Sequence, residues 1–85
     1  MSNEVKRVVE IFKSNKDYSM LTVMKVVKYD SNRYLVLAKL DPNKPDYNGC
    51  WYGVDISSKG ISAYSPVVEM KKFRKLVDSN TLYAV

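Results

Sequence analysis

The stretch SMLTVMKVVKYDSNRYLVLAKL, residues 19–40, decides the fold. Its first half, Ser19 to Tyr29, is rich in Val, Met, Leu and Thr, a composition that suits a pleated, half-buried surface. Asp30-Ser31-Asn32-Arg33 follows as a turn, because Asp, Ser and Asn side chains bond readily to their own backbone. Arg33 to Leu40 then returns as a second strand. Tyr34, Val36, Ala38 and Leu40 share one face of it, and Leu35 and Leu37 share the other. The pattern predicts an antiparallel hairpin.

Downstream, the segment Asp41-Pro42-Asn43-Lys44-Pro45-Asp46 breaks the ladder, since its prolines cannot donate to a sheet, and Asn48-Gly49 ends the loop. Cys50 to Ile56 reads as a third strand, with Cys50, Tyr52, Val54 and Ile56 on the face opposite Trp51, Gly53 and Asp55. Ser57-Ser58-Lys59-Gly60 is a tight turn in which Gly60 is expected to supply the positive φ, and Ile61 to Tyr64 forms a short fourth strand. Ser65-Pro66 signals a helix start, with Ser as cap and Pro at the first position. Met70, Phe73, Leu76 and Val77 then follow at helical spacing. Upstream, Val5, Val8, Val9 and Phe12 mark a first helix over Glu4–Lys13 that Ser2 or Asn3 caps. Thr81 to Val85 is either a short edge strand or a frayed end.

These elements predict an α+β fold in which residues 1–85 form a single domain. The expected architecture is a two-layer sandwich, an antiparallel four-stranded sheet with the N- and C-terminal helices packed on one face, in the order αββββα.

Composition limits the chemistry. The chain has 85 residues, 46% apolar and 27% charged, which is a globular balance. No apolar run approaches the roughly 18 residues of a membrane span, and the polar start argues against a signal peptide. The lone cysteine, Cys50, cannot pair within the chain, so a reducing cytoplasm is the expected location. Histidine is absent, which removes the commonest general base and the commonest metal ligand. Cys50 has no neighbouring base and alternates with Tyr52 and Val54, so it reads as buried and structural. Carboxylates for acid–base work would have to come from Asp30, Asp41, Asp46 or Asp55, and most of these occupy turns. No catalytic residue, metal site or cofactor is expected, and the chain reads as a binding protein without enzymatic activity.

Charge is the positive clue. Fourteen Lys and Arg stand against nine Asp and Glu, for a net charge of +5. A basic domain attracts polyanions by steering and counterion release. On the second helix Lys71, Lys72, Arg74 and Lys75 point away from Phe73, Leu76 and Val77. Lys6, Arg7, Lys13 and Lys16 do the same on the first helix. If both helices cover one sheet face, these residues line one broad surface matched to a phosphate backbone, although a Lys-rich outer face is also what solubility alone requires. Trp51, opposite Cys50, would lie on the open side of the sheet near Arg33 and Lys39, where it could stack a base or anchor a protein.

Two resemblances extend this reading. Trp51-Tyr52-Gly53-Val54-Asp55, with Lys59-Gly60-Ile61 and Tyr64-Ser65-Pro66, resembles many short uncharacterised proteins of bacteriophages and mobile elements over the second half of the chain. Such proteins often act as stoichiometric modulators of host enzymes, defence systems or toxins. In element order and in its basic second helix the chain is similar to double-stranded RNA-binding domains, with Lys71, Lys72 and Lys75 in phosphate-contacting positions. It departs from that family in strand number and in lacking its His-bearing loop. The resulting expectation is a phage-type modulator that binds nucleic acid, RNA before DNA. The alternative is a protein inhibitor of a host target. No membrane partner is expected, and a homodimer is open to it.

Overall fold

The computed structural model describes residues 2–44, 49–63 and 66–85, with the side chains of 63–71 outside that description. The expected roles of Pro45, Asp46 and Asn48, of Tyr64 and the Ser65 cap, and of the Met70 and Lys71 side chains therefore fall outside the described residues. The elements run α1 (Asn3–Ser14), β1 (Thr22–Asp30), β2 (Arg33–Lys39), β3 (Cys50–Asp55), β4 (Gly60–Ala63), α2 (Pro66–Asn80) and β5 (Thr81–Ala84). The fold is α+β, with a five-stranded antiparallel sheet ordered β4-β3-β2-β1-β5. The expected sheet had four strands. The fifth is Thr81–Ala84, which α2 delivers to the free edge of β1, where Val26 faces Tyr83 and Lys25 faces Ala84.

The amphipathic stripe forms α1 as expected. Ser2 caps it by accepting from the Val5 amide at 3.2 Å, and Val5, Val8 and Phe12 turn inward. These three pack on Val23, Val26, Tyr34, Val36, Ala38 and Val54. Phe12 also stacks on Tyr18 at 5.4 Å between ring centroids and meets Tyr52 at 5.2 Å, which closes the C-terminal end of the helix.

The second helix does not join α1. Phe73 and Val77 of α2 pack with Val27, Leu35 and Trp51 on the opposite face of the sheet, helped by Leu37 and Leu76. The sandwich therefore has three layers, with the sheet between the helices, instead of two. The reason lies in strands that are apolar on both sides. Leu35 and Leu37 alternate with Tyr34, Val36 and Ala38 in β2, so a helix on one face leaves the other wet. A bulge in β1 makes both faces usable. Val23 faces Ala38 and Lys25 faces Leu37, so Met24 is an extra residue. Its insertion shifts the alternation, placing Val23 and Val26 on the α1 side and Val27 on the α2 side.

Trp51 is consequently only 7% exposed beneath α2, not on an open face. Cys50, expected to be buried, lies exposed at the start of β3. The turn before β4 also departs from expectation. The left-handed residue is Lys59, with φ 55°, and Gly60 does not take that conformation. Gly49 does need to be glycine. Its φ is 94°, and a Cβ there would meet the Ala38 carbonyl oxygen at 2.7 Å.

One polar cluster ties α1 to the sheet. Glu4 accepts from the Tyr34 hydroxyl at 2.5 Å and from the Lys28 ammonium at 2.9 Å. The Tyr34 hydroxyl, then Lys28, hold Glu4 below the usual carboxylate range. Burial, reinforced by the Glu4 carboxylate, pushes Tyr34 from 10.0 up to about 12. A raised phenol pKa gives stability that is complete below pH 10.0 and is lost as pH rises through about 12. The lowered Glu4 acts at the other end, contributing above its ordinary value of 4.5 and fading as pH falls below it.

Tyr34→Phe should therefore cost about 1–2 kcal/mol at neutral pH. It should also flatten the alkaline loss of stability between pH 10.0 and about 12, read from denaturant midpoints across that range. An unchanged alkaline limb would show that this phenol does not govern it. Cys50→Ala should change stability by less than about 0.5 kcal/mol, as for an exposed position, and native protein should react with a thiol reagent without prior unfolding.

Candidate functional site

The layer arrangement separates the two sets of cations. Lys6, Arg7, Lys13 and Lys16 are exposed around α1, on one side of the sheet. Lys72, Arg74 and Lys75 are exposed on α2, on the other side, while the Lys71 side chain lies outside the described residues. The single broad surface expected from the sequence is therefore not formed. The cause is the same one that buries Trp51, namely that each apolar sheet face takes its own helix.

The expected grouping of Trp51, Arg33 and Lys39 also separates. Trp51 is buried against α2. Lys39 is buried as well, and its ammonium donates to the Lys44 carbonyl. Arg33 alone remains exposed, and it takes part in a different site.

That site follows from the path of α2. The helix leaves β4 at one sheet edge and returns to β5 at the other. It passes over Trp51, Leu35 and Val27, and Phe73 reaches Tyr29 at the end of the sheet where β1 and β3 finish. There a cleft of about 230 Å³ is lined by Tyr29, Arg33, Gly53, Asp55, Ser58 and Ser62, among others. The alternation of β3 accounts for it. Trp51 fills the space under α2, and Gly53, two residues on, has no side chain to fill the next position. Ser62 sits opposite Gly53 on β4 and Gly60 opposite Asp55, so the walls stay low and polar.

Tyr29 forms the aromatic wall. It is 36% exposed and meets Phe73 edge-on, with centroids 4.9 Å apart and an interplanar angle of 87°. The Lys72 ammonium lies 5.5 Å from the centroid of the same Phe73 ring. Lys72, Phe73 and Tyr29 thus run in contact from α2 to the cleft, which Arg33 also lines. On the far wall Asp55 Oδ1 accepts from the Ser57 hydroxyl at 2.7 Å and the Ser57 amide at 3.0 Å. The Ser57 hydroxyl leads the causes that hold Asp55 below the usual carboxylate range, so the group is ionised at neutral pH. Asp55 Oδ2 faces Arg33 Nε at 3.9 Å. The pair presents a charged donor and a charged acceptor side by side.

The sequence pointed to Arg33 but not to Tyr29, Gly53 or Ser62. The available signal was the size step Trp51-Gly53-Asp55 on one strand face. Among the described residues, no group of three or more Cys, Asp and Glu is placed to hold a metal ion, and no helix is long and apolar enough to cross a membrane. Comparison with protein-family models, curated proteins and solved structures finds no match to this chain.

Proposed function

We propose that this chain is a non-enzymatic nucleic-acid-binding protein, a modulator of the phage type, that takes RNA in preference to DNA on the α2 side of its sheet. The observation that carries the reading is the juxtaposition on that side. Exposed Lys72, Arg74 and Lys75 lie on the helix that packs on the same sheet face as a cleft lined by Arg33 and an exposed tyrosine ring, and Lys72 reaches that ring through Phe73. Cations along a helix supply the sequence-independent attraction for phosphates, and an aromatic wall supplies a stacking platform. Small polar clefts with an aromatic wall suit unstacked bases, and RNA presents such bases in loops, bulges and ends. Lys6, Arg7, Lys13 and Lys16, on the other side of the sheet, add long-range attraction without touching the same strand of nucleic acid.

A second reading, a stoichiometric inhibitor of a host enzyme or of a defence or toxin system, draws on the opposite end of the sheet. Met20 and Leu40 are 67% and 59% exposed there, next to the Thr22–Lys39 pair, and Val85 is exposed where its amide bonds to Met24.

Titration with single-stranded RNA at several salt concentrations separates these readings. Replacing Lys72, Arg74 and Lys75 together by Ala should weaken binding. It should also reduce the slope of log K against log salt by about 2, at roughly 0.7 per phosphate contact. Replacing Lys6, Arg7, Lys13 and Lys16 together should leave that slope largely intact. Equal slopes for wild type and the α2 variant would remove α2 from the interface, and wild-type protein that binds no nucleic acid would leave the inhibitor reading in its place.

A further inference from the structure

We infer, resting on the nucleic-acid reading above, that the cleft beside α2 receives a single unstacked base and selects guanine over uracil. Size sets the first limit. At about 230 Å³ the cleft is smaller than the roughly 300–1,000 Å³ of pockets that enclose drug-sized ligands, so it takes one base with part of its sugar and not a stacked pair. Gly53 at its base carries no side chain, so a flat ring can approach the sheet closely. The Tyr29 ring is steadied by the edge-on contact with Phe73, so the stacking wall is in place before a ligand arrives.

Selectivity comes from the two charged groups. Arg33 offers N–H donors, and the Asp55 carboxylate offers an acceptor whose Oδ2 is not committed to the Ser57 turn. The 3.9 Å between Arg33 Nε and Asp55 Oδ2 exceeds hydrogen-bond length, so each group can turn to a ligand without breaking a close pair. Guanine carries an acceptor, O6, followed by two donors, N1–H and N2–H, along one edge. Arg33 then donates to O6 while Asp55 accepts from the donors. Uracil flanks its one N–H with two carbonyls, and the carbonyl left beside Asp55 is repelled by it. The larger purine ring also covers more of Tyr29. The exposed Ser62 hydroxyl remains for the sugar or phosphate.

The test is a titration of the isotopically labelled full chain with GMP and, separately, UMP, followed by amide chemical shifts. GMP should shift Tyr29, Gly53 and Ser62 and bind about 5–10-fold more tightly than UMP, the selectivity expected of one well-placed polar contact pair. Asp55→Asn should bring the two nucleotides to within about twofold of each other. Because Asp55 also holds the Ser57-Ser58 turn, Ser62→Leu serves as a second variant. It fills the cleft from β4 without touching that turn and should abolish the shifts with both nucleotides. Cleft amides that stay still with GMP, or equal affinity for UMP, would overturn the inference. Failure here is distinct from failure of the broader reading. Ser62→Leu protein that keeps full RNA affinity and salt slope would sink the cleft as a base site while leaving α2 as the phosphate-binding face. Cleft shifts with GMP in a protein that binds no RNA would do the reverse.

Discussion

A sheet that is apolar on both faces cannot be sheltered by one layer of helices, and the rest of this structure depends on that constraint. In β2, Val36 and Ala38 look one way and Leu35 and Leu37 look the other. The extra residue Met24 lets β1 serve both sides with valines. Helix α1 covers the first face and α2 the second, so the two helices, and the cations they carry, cannot be neighbours. The fifth strand follows from the same geometry. Once α2 has crossed the second face from β4, its C-terminus lies at the far edge, where Thr81–Ala84 pairs with β1.

Much of this was legible. The Ser19–Leu40 hairpin, the third and fourth strands and both helices appear where periodicity and turn residues place them, with shifts of a few residues at the ends. The choice of face for α2 was not legible. The 3.6-residue period of Phe73, Leu76 and Val77 shows that the helix has an apolar side, but nothing local states which sheet face that side meets. The clue lay in β2, whose Leu35 and Leu37 were as apolar as the residues on the other face. One further departure shares this origin. Alternation predicts Trp51 on an open face only if that face carries no helix. Alternation alone predicts Cys50 in the core, but it begins its strand beside the loop and is exposed. The positive φ at Lys59 instead of Gly60 is a turn-chemistry error of one residue.

The site was legible in part for the same reasons. Arg33 and the outward residues of α2 could be found by charge and period. The cleft could not, because it exists only where the end of β1, the start of β2 and the β3–β4 turn meet under the edge of a helix whose position was unknown. Gly53 has meaning only once α2 is known to cover Trp51 two residues earlier and to stop short of Asp55. Charge thus gave the sequence-independent half of the proposed interface, and tertiary packing gives the half that discriminates.

The most direct measurement is the amide chemical-shift footprint of the full chain with a short single-stranded RNA that contains guanine. Binding on the α2 side predicts shifts at Lys72, Arg74 and Lys75 on the helix and at Tyr29, Arg33 and Gly53 in the cleft, with residues 3–14 of α1 unmoved. A footprint centred on Lys6, Arg7 and Lys13, or one spread evenly over both helices, would contradict it.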